Sequence, residues 1–258
     1  YIYIDIYMKR VLILGASSEL GKHLAFEFAS KGYNIILASR NVNEIKKISK
    51  KIDSKYPVEC NYFYFDILND VTDELVNKIN IIPEIIISTV GFNEQHWLEN
   101  NYSNWKDNKF NEDIFHKILS TNFTHIAILI ENLILLTINN KKNLSLIILA
   151  SVAGIRGRSK NYVYGAAKSA LIEYLSGLRQ RYSRNNINIM TVIPGYIKTN
   201  SLSHRSMNSM FAINPERLAS IIYKSHKKEK DIVYAPYWYL LSILIKLIPE
   251  SIFKFLKF

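Results

Sequence analysis

Of 258 residues only one is cysteine, nine are glycine and six are proline. The single thiol, Cys60, excludes an internal disulfide and fits a reducing compartment. So little glycine and proline excludes collagen-like and low-complexity chains, and no internal repeat is visible. Acidic residues are also short: 22 Asp and Glu stand against 33 Lys and Arg, a formal net charge of +11. The basic residues form local groups, notably Lys46, Lys47, Lys50 and Lys51, then Lys224, Lys227, Lys228 and Lys230, spaced as solvated helix faces. Where such a surface meets a partner, a phosphorylated small molecule or an anionic membrane surface suits it better than nucleic acid, since no motif of a nucleic-acid-binding fold appears. No metal site is expected. The opening YIYIDIY lacks the basic region, longer apolar stretch and cleavage site of a signal peptide. Met8 precedes a basic pair and is expected to be the natural start, with residues 1–7 an extension.

Apolar residues, in contrast, make up 48% of the chain and form short β-branched and leucine runs between amphipathic segments. Runs at Val11–Leu14, Asn34–Ala38, Cys60–Phe65, Ile85–Ile87, Leu146–Ala150, Ile187–Ile193 and Asp231–Tyr234 predict strands. Helical periodicity predicts helices over Leu20–Ser30, Val42–Lys51, Asn69–Asn80 and Ile114–Ile138, from Tyr162 onward, and from Pro215, a residue suited to a first helical turn. The alternation gives an α/β chain, and at this length one domain is expected.

The run Leu146–Glu173, LIILASVAGIRGRSKNYVYGAAKSALIE, joins a strand, a loop and a helix. Ser151 stands at the carboxyl end of the strand, where open α/β sheets place their chemistry. Tyr164 and Lys168 fall one helical turn apart on one face. A free phenol has a pKa of about 10, too high for ready proton exchange at neutral pH. An adjacent ammonium favours the phenolate and is expected to bring the Tyr164 pKa down, while Ser151 can bond the same substrate oxygen. Ordinary amphipathic helices show this spacing too, so other features must accompany it.

Several do. The turn GASSELG after the first strand sets Gly15 and Gly21 six apart, with Ser17 and Ser18 available to bond phosphate and a helix N-terminus to favour negative charge. The second strand delivers Arg40 where an acidic residue would hold an adenosine ribose. A guanidinium there forks onto a 2′-phosphate and favours NADP over NAD; otherwise it merely caps the strand end. Asp66 ends the third strand, placed for an adenine amino group or for capping the next helix. Gly91 permits close backbone approach after the fourth strand, and Asn122 is a polar amide inside an apolar helix, which requires a partner. Pro194, Gly195, Ile197 and Thr199 lie in an irregular turn whose polar groups can meet a nicotinamide amide and a phosphate. Two long connections frame these residues. Phe92–Asp113, with His96, Trp97, Tyr102, Trp105 and Phe110, either binds a ligand or packs on its own aromatics; Asn200–Ile213, with Met207, Met210 and Phe211, is placed to close over a substrate.

Together these residues resemble the short-chain dehydrogenase/reductases from Lys9 to about Ala235. The likeness rests on Gly15-Ala16-Ser17-Ser18 with Gly21, on Asp66, Asn122, Ser151, Tyr164 and Lys168, and on Pro194-Gly195 through Thr199, in the family's order and spacing. It implies one Rossmann-type domain over residues 8–235: a doubly wound parallel sheet of about seven strands with helices on both faces. It implies an NADP(H)-dependent carbonyl reductase in which Tyr164 protonates the ketone oxygen and Ser151 orients the carbonyl. Lys168 would hold the nicotinamide ribose and lower the tyrosine pKa, and Asn122 would anchor a water relay. The implied cofactor contacts are Gly15, Ser17, Ser18, Glu19, Leu20, Gly21, Arg40, Asp66, Ile67 and Gly91, then Tyr164, Lys168, Pro194, Gly195, Ile197 and Thr199. Pairing into homodimers or homotetramers through the helices that begin at Ile114 and Tyr162 is implied as well. Two positions depart from the family pattern. Glu19 stands where most members have a glycine, and a carboxylate beside a pyrophosphate repels it unless it points outward. Ser88-Thr89 replaces paired asparagines.

A looser similarity, in Ser17-Ser18-Glu19-Leu20-Gly21, Val163–Lys168 and Ile248–Phe253, is to the reductases of decaprenylphosphoryl-2-keto-ribose. The tail, residues 236–258, interleaves Lys246, Lys254 and Lys257 with Trp238, Phe253 and Phe255, and its longest apolar run falls well short of the ~20 residues that span a bilayer. Such a segment lies in a membrane interface, which would make a cytoplasmic protein peripheral at the membrane's cytoplasmic face, or it packs at the cleft rim or on a second subunit. The substrate expectation is accordingly a polyprenyl-phosphate-linked keto-sugar, with a soluble reductase of 3-oxoacyl thioesters, steroids or other small ketones as the alternative. A non-catalytic NADP-sensing scaffold on the same fold would tolerate loss of Ser151, Tyr164 or Lys168, and all three are present.

Overall fold

The computed structural model describes residues 9–70, 75, 78–79, 82–93, 111–198 and 212–256. β1 (Arg10–Leu14), β2 (Asn34–Ser39), β3 (Cys60–Tyr64), β4 (Ile85–Ser88), β5 (Leu144–Leu149), β6 (Ile187–Ile193) and β7 (Ile232–Tyr234) form one seven-stranded sheet in the order β3-β2-β1-β4-β5-β6-β7. Every pairing is parallel. β4 and β5 are buried at every position, which is why they read as unbroken apolar runs rather than alternating ones. Successive residues of β1 face opposite layers. Val11 and Ile13 join Leu24 and Phe28 of α1 (Glu19–Ala29), Ile45 of α2 (Val42–Lys55) and Leu218 of α6 (Pro215–His226) on one face. Leu12 and Leu14 meet Ile130 and Leu133 of α4 (His125–Asn139) and Leu171 and Leu175 of α5 (Tyr162–Arg181) on the other. The doubly wound sheet therefore has its switch point between β1 and β4, where such folds open a crevice at the strand carboxyl ends.

The expected helix over Ile114–Ile138 is a rod with a local insertion. α3 (Glu112–Leu119) and α4 are joined by a π-helical turn, Ser120–Thr124, which contains Asn122. By length and composition alone the stretch Glu112–Asn139 is apolar enough to cross a membrane. Its apolarity has another cause: Ile126, Leu129, Ile130, Leu133 and Ile134 are buried against the sheet. α2 continues past its expected end to Lys55 because its buried stripe of Ile45, Ile48 and Ile52 continues. Of the helix expected over Asn69–Asn80, Leu75, Lys78 and Ile79 are described and helical. Most of the two long connections, with Thr199, lies outside the described residues.

The tail forms two helices. α7 (Trp238–Leu247) follows Tyr237, whose φ of 68° turns the chain sharply, and Pro249 separates it from α8 (Glu250–Phe253). Trp238 and Ser242, one turn apart, are buried, whereas Leu240, Leu244 and Leu247 face outward. Arg156, in the loop after Ser151, holds the junction: its guanidinium donates to the Ile245 and Ile248 carbonyls, pairs with Glu250 at 2.8 Å and stacks 3.8 Å from the Phe253 ring centroid.

Candidate active site

The switch point is lined by a tight glycine turn. Gly15 has a φ of 78°, and a Cβ there would stand 2.8 Å from Thr89 Oγ1; at Gly21 it would stand 2.7 Å from the Gly15 carbonyl. Neither position admits a side chain. Ser18 caps α1 by accepting from the Gly21 N–H at 3.0 Å, and its hydroxyl also meets Thr89 Oγ1 at 3.0 Å. Thr89, at a position where the family pattern has asparagine, donates to the Leu14 and Gly15 carbonyls and so clips the turn to β4. Sequence reasoning noted that departure but not its function. Ser17 is bonded to Ser39 at 2.6 Å. Both serine hydroxyls are thus committed to building the turn, and phosphate must be met chiefly by backbone. Among the described residues no acceptor takes the Glu19 and Leu20 N–H groups at the start of α1, and the helix dipole adds positive character there. A pyrophosphate fits that arrangement. Glu19 is the first residue of α1 and does not line the cleft; Leu20 is buried and contributes backbone alone.

A cleft of about 230 Å³ extends from this turn past Ser39, Arg40, Asp66, Ile67 and Gly91. Arg40 is exposed at its rim. Asp66 accepts from the Leu68 N–H at 3.1 Å, within the turn that follows β3, and lines the cleft.

Asn122 is fully buried. The π-helical turn aims its amide across the helix, where Nδ2 donates to the Phe92 and Ile118 carbonyls and Oδ1 accepts from the Phe92 N–H. This clasp fixes Gly91, whose added Cβ would stand 3.4 Å from Asn122 Oδ1 and 4.0 Å from Lys168 Nζ. Lys168 is 1% exposed and donates to the Leu149 carbonyl at 3.1 Å. Ser151 accepts from the Ala153 N–H and starts a 3-10 turn, Val152–Gly154. Two further glycines press that turn onto α5. A Cβ on Gly154 would meet the Lys168 backbone at 2.7 Å, and one on Gly165 the Ala153 carbonyl at 2.9 Å. The Val152 N–H donates to the Pro194 carbonyl, which ties the catalytic loop to the turn after β6. Gly195 is itself covered, since a side chain there would collide with the Trp238 indole. Ile197 bridges to Ile213.

The electrostatics correct one expectation. The Tyr164 pKa is raised, because burial disfavours the phenolate more than a Ser151 hydrogen bond and the charge of Arg158 favour it. Lys168 lies with Nζ 5.8 Å from the Tyr164 ring centroid, and burial lowers its own pKa to about 7. At neutral pH it is only partly the ammonium the expectation required. Arg158, which carries the charge acting on the phenol, was not singled out from the sequence.

A parallel sheet with a phosphate-fitting turn at its switch point, and a Ser, Tyr and Lys group at the carboxyl ends of the adjoining strands, defines a dinucleotide-dependent oxidoreductase. The family model for short chain dehydrogenases matches residues 9–209, and the chain belongs to that family. A very-long-chain 3-oxoacyl-CoA reductase of Vanderwaltozyma polyspora is 28% identical over 244 residues, covering 88% of this chain and 67% of its own length. An NADP-dependent 3-hydroxy acid dehydrogenase of Schizosaccharomyces pombe is 27% identical over 243 residues, covering 88% and 90%. Among solved structures, a short-chain dehydrogenase from Sphingobium yanoikuyae in complex with NADPH superposes with a TM-score of 0.74 at 17% identity, covering 95% of this chain and 98% of the other. That likeness shows the fold.

Proposed function

We propose that this oxidoreductase is an NADP(H)-dependent carbonyl reductase of lipidic ketones, acting in the cytoplasm at a membrane's cytoplasmic face. The observation that carries the chemistry is the meeting of Tyr164 and Lys168 beside the Asn122–Gly91 clasp, next to the glycine turn. A bound nicotinamide supplies the hydride. Tyr164, kept protonated at neutral pH by its raised pKa, donates its proton to the ketone oxygen, and Ser151 orients that oxygen. Lys168, with a pKa near 7, restores the proton to Tyr164. Asn122 holds the Gly91–Phe92 backbone beside Lys168, the position from which it anchors a water relay. Gly15, Gly21 and the start of α1 hold the pyrophosphate, Asp66 and Ile67 border the adenine, and Arg40 meets a 2′-phosphate.

For the substrate, the relatives named as reductases of very-long-chain 3-oxoacyl-CoA support a 3-oxoacyl thioester. The outward apolar face of α7, with Lys246 and Lys254 alongside, favours a second lipidic ketone, the polyprenyl-phosphate-linked keto-sugar. The same face supports contact with an anionic bilayer. Exposed Ile128, Leu135 and Ile138 on α4 support a homo-oligomer through that helix.

NADPH oxidation measured against a panel of 3-oxoacyl thioesters and a polyprenyl-phosphate keto-pentose tests the reading. Tyr164→Phe should lower turnover by about 10²- to 10⁴-fold while NADPH still binds, as expected for loss of a general acid; full activity in that variant would overturn the assignment. Arg40→Glu should shift the preference toward NADH, by about tenfold or more for loss of a bidentate phosphate contact. Preference for NADH in the unmodified protein would overturn the cofactor reading.

A further inference from the structure

A second cavity, of about 360 Å³, lies between the loop entering α5 and the end of the tail. Arg158 and Tyr162 line its loop side, and Phe253, Lys254 and Leu256 its tail side. It is distinct from the nucleotide cleft, with which it shares no residue. Arg158 is half-buried, and among the described residues no carboxylate pairs with it or with Lys254. Glu250 also lines the cavity, but its carboxylate pairs with Arg156 at 2.8 Å, which offsets its charge. Tyr162 and Leu256, 40% and 42% exposed, leave an apolar wall open beside the two cations. An unpaired guanidinium and an ammonium next to open apolar surface match a ligand with an anionic head and a hydrocarbon chain. The cavity lies at the start of the helix that carries the chemistry: Tyr162 is the first residue of α5, which bears Tyr164 in its first turn, and the charge of Arg158 is felt at the Tyr164 phenol.

We infer that this cavity is the subsite for the phosphate-bearing head of an amphiphilic ketone, with Arg158 and Lys254 as its charge partners and Tyr162 and Leu256 along its chain. The role as a substrate subsite rests on the ketone-reductase reading; the ligand class rests on the cavity itself. Calorimetric titration of the full chain under saturating NADPH, which occupies the phosphate turn at Gly15, separates the two. Octyl phosphate should bind at least tenfold more tightly than inorganic phosphate or octanol, compete with the ketone, and lose about fivefold in affinity on Lys254→Gln and on Leu256→Asp. Both residues are exposed, and unchanged melting temperatures would show the variants folded. Octyl phosphate binding no tighter than inorganic phosphate or octanol, or binding indifferent to Lys254→Gln, overturns the subsite. Binding as expected in a protein that reduces no ketone overturns the reductase reading and leaves the ligand class of the cavity standing.

Discussion

Lys168 is the one charged residue among the described residues that is entirely enclosed, with the Leu149 carbonyl as hydrogen-bond acceptor. Burial takes its pKa from 10.5 to about 7. Between those values the unfolded chain binds more protons than the folded one, so stability rises as pH climbs from about 7 to about 10.5, and below about 7 the full penalty of a buried ammonium applies. Lys168→Met should therefore abolish activity yet stabilise the protein, measured without added nucleotide, by a few kcal/mol at pH 6, with the gain shrinking toward pH 10. A melting-temperature gain that does not vary with pH would show that the ammonium is not the cost. The lysine and tyrosine were legible because helical spacing places them on one face. The direction of the Tyr164 shift was not, since desolvation depends on how tightly the 3-10 turn is pressed onto α5. Gly154 and Gly165 set that packing, whose closeness depends on how the loop between them folds back onto the helix.

Strands, and helices such as α1, were legible as apolar runs and stripes; their ends moved by a residue or two, and by more at α2, whose stripe ran on to Lys55. Less visible were the devices that join elements. The π-helical turn around Asn122 has no sequence signal beyond a polar residue where an apolar one belongs, and its purpose is seen only once Phe92 lies opposite. Arg156 is a similar case: the loop carries it, but its acceptors lie at the far end of the chain, on Ile245 and Ile248. Arg156→Gln removes charge-assisted bonds to carbonyls at a helix end, a loss on the order of 2 kcal/mol, discounted for the exposed Glu250 partner. Trypsin should then cut after Lys246 and Lys254 several times faster than in the unmodified protein, while cleavage elsewhere keeps its rate. Uniformly faster cleavage would show global destabilisation instead of local release of the tail.

For the molecule as a whole, a net charge of +11 and an apolar plane on the tail act together. Leu247 and Phe255 are 72% and 75% exposed, and Lys246 and Lys254 flank them. Vesicles containing phosphatidylserine should co-sediment the protein, neutral phosphatidylcholine vesicles should do so less, and Leu244→Glu with Leu247→Glu should release it from both. Deleting the tail is the poorer test, because Trp238 packs on the core. Equal recovery of the double variant and the unmodified chain on anionic vesicles would remove the tail from membrane binding. The composition raised the expectation of membrane contact; the division of α7 into a face on the protein and a face outward required the fold.

Trp238 occupies the space a side chain on Gly195 would need, and its ring meets Tyr196 edge-on at 5.6 Å between centroids. An indole in that position is an optical probe built into the chain. A nicotinamide bound against the Pro194–Gly195 turn would change the polarity around it, and so would release of α7 from the protein. With Trp97 and Trp105 replaced by phenylalanine, the colour and intensity of the remaining emission should report nucleotide binding and tail position in a single spectrum.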